Sequence, residues 1–259
     1  MSFSDHKNSK GKTVSNNDRD LKRNRYPYRL LLEVAPLHAL IVIGYELAMM
    51  RARLANPRMD TRFAEAKELL VNVGCGDKGK DGWVNVDSSS APGVDCVYDC
   101  RRRIPLASGS ARAIFSEHLL EHLDYEEEAP KFLAECGRVL KPGGVLRLVV
   151  PDGKKYLMAY ADGGWEAFRA FSPLVSEGGS GFRTQMEIVN AHFRQAGEHR
   201  FSYDYETLHH LLARCGFDEI REQAFRESRL DQLAIDAVER ESESLYVEGT
   251  TMKRPAKYT

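Results

Sequence analysis

Cysteine, net charge and an unbroken apolar stretch are what this chain has least of. Its five cysteines, Cys75, Cys96, Cys100, Cys136 and Cys215, are odd in number, and none forms a CxxC pair. That pattern argues against a disulfide framework and a structural zinc site, and free thiols fit a reducing compartment. The 37 Lys+Arg and 38 Asp+Glu leave a net charge of -1. A phosphate-tracking protein shows a basic excess, so nucleic acid is not an expected partner. There is no internal repeat. There is also no clean membrane span. Residues 30–50, LLLEVAPLHALIVIGYELAMM, are apolar at 16 of 21 positions, but Glu33, His38 and Glu46 interrupt them and Pro36 breaks the first turns. A charged side chain at mid-membrane costs roughly 2.5–3.5 kcal/mol on insertion scales. The run ends in Met-Met-Arg-Ala-Arg rather than small residues, which argues against a cleaved signal peptide.

With 42% apolar and 29% charged residues over 259 positions, the chain reads as a globular protein long enough to bury a sizeable core. The balanced charge hides an asymmetry. Residues 1–29 hold eight Lys/Arg and three Asp and are poor in apolar side chains, so they read as a disordered basic arm. An apolar helix is expected over 30–55. Three readings stay open for it: packing on the following domain, a homodimer interface, or contact of residues 1–52 with an anionic membrane surface.

From residue 66 strand and helix signals alternate. ELLVNV (68–73), WVNVD (83–87), AIFS (113–116) and VLRLVV (145–150) read as strands, and further strand-like runs lie near 217–225 and 244–248. Residues 129–140 form an amphipathic helix pattern that Pro142-Gly143-Gly144 ends, and 205–215 form another that stops at Gly216. This order implies an α/β fold with a doubly wound, mostly parallel sheet. Residues 153–200 lack clean periodicity and read as a cap insertion over the sheet edge.

In such sheets ligands sit beyond the carboxyl ends of the strands. The first strand runs into Gly74-Cys75-Gly76, and Gly79 formally completes GxGxxG. Asp87 ends the second strand 13 residues after Gly74, and an acid there can bind two ribose hydroxyls. A dinucleotide fingerprint places its acid about 20 residues on, after a full helix, so a regular Rossmann dehydrogenase is disfavoured.

The segments LVNVGCG, GWVNVD, DCRRRIPL, SEHLLEHL and LKPGGVLRLVVPD, in this order, resemble a class I S-adenosylmethionine-dependent methyltransferase. They are most similar to the type-11-like group associated with surface-polysaccharide biosynthesis. The resemblance is strong over about 68–152 and weak over 199–250. It implies a Rossmann-like methyltransferase domain over 56–259 and S-adenosylmethionine as cofactor, with S-adenosylhomocysteine as product. It also implies Val73, Gly74, Cys75 and Gly76 under the methionine part, and Asp87 on the ribose. Asp99 would meet the adenine amino group, with the Cys100 backbone N–H on the ring, and Ser116, Glu117 and His118 would lie closest to the sulfonium. The short stretch from Gly76 to Trp83 departs from relatives that carry a longer helix there. The implied reaction is O-methylation of a sugar or glycan precursor in the cytoplasm, on or off the inner membrane surface. Other small or lipid-linked acceptors, and a non-catalytic cofactor-binding scaffold, are the alternatives.

For a hydroxyl acceptor the protein must also remove a proton, and histidine is the side chain poised for that. His118 and His122, four apart at the start of an expected helix, are candidates, with His118 nearer the strand end. His199, like His192, Arg194 and Arg200, lies in or after the cap and can supply a base or anchor an anion. His118-Leu-Leu-Glu121-His122 also matches HxxEH, the inverted zinc-protease pattern. No third ligand motif follows it, so no metal is expected. Trp165, Phe168, Phe171 and Tyr160 can line an acceptor pocket or form the core of a lid.

Overall fold

The computed structural model describes residues 43, 44, 46, 47, 49, 50, 61–175 and 181–252, all within the unit Ile43–Thr259. The basic arm expected over 1–29 lies outside them. Of the helix expected over 30–55, the six described residues are helical, and Met49 among them is buried. No helix among the described residues is long and apolar enough to cross a membrane.

Seven strands form one sheet: β1 (Leu69–Val73), β2 (Val84–Asp87), β3 (Cys96–Val97), β4 (Ala111–Glu117), β5 (Leu140–Pro151), β6 (Phe217–Gln223) and β7 (Ser244–Thr251). Their spatial order is β3-β2-β1-β4-β5-β7-β6. The first five pair in parallel, and β7 lies antiparallel between β5 and β6. This is the doubly wound, mostly parallel sheet of the Rossmann-like class. Its inner strands read as near-continuous apolar runs because both faces are covered. The β5 stretch Val145–Pro151 is buried throughout, and β5 starts five residues earlier than the apolar run suggests. It continues through Pro142-Gly143-Gly144 with a register shift against β4, where the sequence pointed to a turn.

Helix α1 (Glu128–Val139) turns Ala129, Phe132, Leu133, Cys136 and Val139 into the core. Each large side chain of this kind contributes about 1.5–3 kcal/mol by leaving water. Among the described residues no helix joins β2 to β3 or β3 to β4, so the alternation is incomplete on that side. The region after β5 is helical despite its irregular sequence. It comprises α2 (Gly153–Met158), a π-turn (Ala159–Gly163), α3 (Gly164–Arg169) and α4 (Gln185–Arg194). It has its own core of Tyr156, Ala159, Phe168, Val175, Ile188 and Val189. Phe168 belongs to that core, Trp165 and Phe171 pack against it, and Tyr160 is exposed. Asp152 caps α2 by accepting the Lys154 N–H, and Thr184 opens α4 with a reciprocal capping box to Glu187. Helix α5 (Tyr205–Arg214) is capped by Asp204, and Gly216 follows it as expected.

Candidate active site

The strand order reverses between β1 and β4, because β2 lies on one side of β1 and β4 on the other. At that switch point the loops leave in opposite directions and open a cleft. Its walls are Asn72, Gly74, Cys75, Gly76, Asp77, Lys78, Lys80, Phe115, Glu117, His118 and Arg240. The glycine turn is dictated by geometry. Gly74 has φ +76°, and a Cβ there would stand 2.8 Å from the Leu119 side chain. Gly76 has φ +54° with open space where its Cβ would be, so its backbone faces the cleft bare.

Asp87 fastens this turn. Its Oδ2 accepts the Gly76 N–H at 2.8 Å and its Oδ1 accepts the Ser89 N–H at 2.8 Å. Each oxygen keeps a lone pair for a further donor. Asp87 thus holds the cleft from beside it rather than lining it. Val73 is buried in the core beneath the turn. Along β4 the residues alternate: Phe115 and Glu117 face the cleft, and Ser116 between them is buried, its Oγ without a hydrogen bond. Ser116 therefore does not line the cleft as expected. Asp99 does not either. It is buried, and Arg101 grips both its oxygens, Nε to Oδ1 at 2.9 Å and Nη2 to Oδ2 at 3.1 Å. Arg101 in turn reaches Glu46 at 3.0 Å. Cys100, next to it, is half-buried. Burial pushes the Cys75 and Cys100 thiols up to about 12, so neither is a thiolate nucleophile near neutral pH.

His118 follows β4 directly with φ +51°, a left-handed conformation that costs a non-glycine residue of order 1 kcal/mol or more. Its N–H is held by the Val149 carbonyl at 2.8 Å. Its Nε2 bonds Ser244 Oγ at 2.9 Å, and its Nδ1 lies 3.4 Å from Glu121 Oε1. Burial first, then Arg240, brings its pKa down to about 2, so the ring is neutral. The expected α-helix at 118–122 is instead a single 3-10 turn, Leu120–His122, and the next α-helix starts at Glu128. His122 and His199 do not line the cleft; their ring centroids are 5.1 Å apart beside Glu121. His192 is structural: it is buried, stacks on Tyr156 at 3.7 Å and bonds Ser202 Oγ at 3.2 Å.

Sequence reasoning missed the other wall. Asn72 is the polar break in LLVNV and was legible as such; its Nδ2 bonds Asn85 Oδ1 at 3.2 Å. Lys78, Lys80 and Arg240 carried no local signal. The polar stretch 224–243 folds back on the glycine turn: Lys78 pairs with Glu239, Lys80 Nζ donates to the Ile235 carbonyl at 3.3 Å, and the Ala237 N–H donates to Glu117 Oε1 at 3.0 Å. Burial holds the Glu117 carboxyl above the usual carboxylate range.

Comparison with known proteins adds one family match. Residues 84–148 fit the family model of a methyltransferase domain. The matched segment runs from β2 into β5 and includes Asp87, Glu117, His118 and Glu121. It supports a methyl-transferring enzyme. A search of curated proteins finds no match. Among solved structures, the chain is similar to an S-adenosylmethionine-dependent methyltransferase of Thermotoga maritima described as a possible histamine N-methyltransferase. That pair is 16% identical over 86% of this chain and 96% of the other, with a TM-score of 0.43. A putative methyltransferase of Haloferax volcanii, solved with the Trm112 activator, is 13% identical over 88% and 99%, with a TM-score of 0.44. The Haemonchus contortus phosphoethanolamine N-methyltransferase 2, solved with S-adenosylmethionine, is 12% identical over 74% of this chain and 50% of its own length, with a TM-score of 0.40.

Proposed function

We propose that this chain transfers a methyl group from S-adenosylmethionine to a hydroxyl of a small acceptor, a sugar or glycan precursor. The observation that carries the reading is the cleft at the β1–β4 switch point, floored by the bare backbone of Gly74-Cys75-Gly76. The residues suit the donor. Gly76 leaves room for a close approach, and Asp87 keeps lone pairs for a diol beside the turn. Lys78, Lys80 and Arg240 offer cations to a carboxylate, and Glu117 offers a partner to an ammonium, as an amino-acid moiety requires. When bound, the donor supplies a sulfonium methyl, an electrophile that needs only alignment with its nucleophile. His118 presents a neutral imidazole at the same cleft and is the candidate base for the acceptor hydroxyl.

The sugar or glycan acceptor rests on the resemblance to the type-11-like group. On the same footing we place the protein in the cytoplasm, with residues 1–52 touching the inner membrane surface and a homodimer as a further assembly. Titration calorimetry with S-adenosylmethionine, S-adenosylhomocysteine and NAD tests the donor site. The expected result is binding of the first two, weakened in Asp87→Ala and Gly76→Val. Binding of NAD alone would refute the reading. Labelled-methyl transfer to fractionated sugar nucleotides and glycan precursors tests the acceptor. Liposome flotation with and without residues 1–52 tests the membrane contact, and equal flotation of the two removes it.

A further inference from the structure

Beside the cleft lies a cluster that the methyl-transfer reading does not use. Glu121 is 1% exposed, and neither of its carboxylate oxygens has a hydrogen-bond partner. A buried carboxyl in that state needs a proton or a cation. His122 and His199 stand next to it. One ligand atom from each of the three residues lies within 4.8 Å of the others, and His122 Nε2 is 4.0 Å from Glu121 Oε1.

Both rings have their tautomer set from behind. His122 Nδ1 is 3.1 Å from the Glu198 carbonyl oxygen, and His199 Nδ1 is 2.6 Å from the His192 carbonyl oxygen. A carbonyl oxygen only accepts, so each Nδ1 carries the hydrogen and each Nε2 keeps its lone pair. That is the outer-shell arrangement that orients metal-bound imidazoles. The backbone holds the set together as well: the Arg200 and Phe201 N–H groups donate to the carbonyl oxygen of Glu121 at 2.8 and 3.2 Å. The residue that follows the cap in sequence is thereby locked against the turn that follows β4.

We propose that Glu121, His122 and His199 form a binding site for a first-row divalent metal ion, zinc foremost. Two neutral imidazoles and one carboxylate suit that class of ion and leave a position open for water or another oxygen ligand. Tetrahedral zinc with bonds near 2.0–2.1 Å would set its ligand atoms roughly 3.3 Å apart, so closure takes shifts of about an ångström. His122, whose side chain is 34% exposed, is free to make them. His118 is not a ligand in this arrangement. Its Nε2 is engaged by Ser244, and its Nδ1 lies 3.4 Å from Glu121 Oε1, the same oxygen that His122 Nε2 faces, which connects the ion to the cleft that His118 lines. The HxxEH pattern of the sequence thus resolves differently from a protease site. Its Glu and second His are ligands, and the third comes from beyond the cap.

The site stands or falls independently of methyl transfer. The full chain, stripped with a chelator, is titrated with Co2+ and followed by visible absorbance. The expected result is one Co2+ per chain, with d–d bands that one equivalent of Zn2+ abolishes. Glu121→Gln and His199→Gln should weaken binding beyond the roughly 10–100-fold that outer-shell changes cost. His122→Asn, at a partly exposed position, carries the same expectation and keeps the test open if circular dichroism shows either of the other variants unfolded. Absence of visible bands in the wild-type chain, or Co2+ binding undiminished in His122→Asn, overturns the proposal.

Discussion

Acidification should expose the buried imidazole of His192 as a stability switch that has no part in the cleft. The ring is 4% exposed, stacked on Tyr156, and burial brings its pKa down to about 3. In the unfolded chain it titrates near 6.5. A histidine with a lowered folded pKa is neutral when folded and protonated when unfolded throughout the window between those values. Folding is then opposed increasingly as pH falls through 6.5, by about 1.4 kcal/mol per pH unit. At pH 4.5 the penalty from this one ring is about 2.7 kcal/mol, a large share of a typical domain's 5–15 kcal/mol. His118 and His199, lowered to about 2 and about 4, act in the same sense. Glu121, raised by burial to about 8, acts in the opposite one, because its folded state holds a proton that the unfolded state has lost above about 4.5. Comparison with His192→Phe, which keeps an aromatic ring against Tyr156, isolates the single term. Urea unfolding at pH 7.5, 5.5 and 4.5 should show the variant losing about 1.4 kcal/mol less per pH unit below 6 than the wild type. Equal slopes in the two proteins would refute the assignment of a neutral buried ring.

Three further outcomes follow from the packing around the cleft. Gly74→Ala combines φ +76° with a Cβ 2.8 Å from Leu119, so it should cost about 2 kcal/mol or more in urea unfolding. Gly76→Ala meets open space and should cost about 1–2 kcal/mol from its φ alone, while lowering donor affinity in calorimetry. Arg147→Met leaves the buried carboxylate of Asp236 without its cation, while Glu248 keeps Arg229 at 3.3 Å, and should lose about 3 kcal/mol or more. A loss no larger than that of a surface substitution would show that Asp236 is protonated without it.

The fold was legible where burial is two-sided and the run is long. β1, β4, β5 and β7 announce themselves by apolar stretches, and α1 by five core residues at helical spacing. β3 has two residues and left no periodic trace. The cap was read as irregular because its helices are short and are joined by a π-turn, and their apolar residues close on each other rather than on the sheet. Gly74 and Gly76, which line the cleft, and Asp87, which fastens their turn, stand out in the sequence because a glycine turn and a strand-end acid leave marks in one place. Ser116 was expected at the cleft together with Glu117 and His118, but on a strand the parity that turns Phe115 and Glu117 to the cleft turns Ser116 away. The Glu121–His122–His199 cluster was half visible in HLLEH. Its third member depends on a backbone pairing across the whole cap, which no local pattern encodes.

Arg147 shows how the unreadable part of the cleft is nonetheless specified. A charged residue inside VLRLVV looks like a flaw in a buried strand, and it is fully buried. All five of its guanidinium donors are spent: Nε on Asp236, Nη1 on Glu248 and the Glu227 carbonyl, Nη2 on Asp236 and the Ala224 carbonyl. Glu248 is its cross-strand partner on β7, whereas Asp236, Glu227 and Ala224 belong to the polar stretch between β6 and β7. A buried ion pair adds little net stability over an apolar replacement, since desolvation offsets the attraction. Its effect here is positional. Together with Leu233, which is buried against Phe115, Val145 and Val149, it fixes that stretch on the sheet, and the stretch carries Ala237, Glu239 and Arg240 to the glycine turn and the β4 tip. One wall of the cleft comes from adjacent strand ends, and the other is held in place by apolar packing of Leu233 on the sheet and by an arginine that the strand would otherwise have no reason to bury.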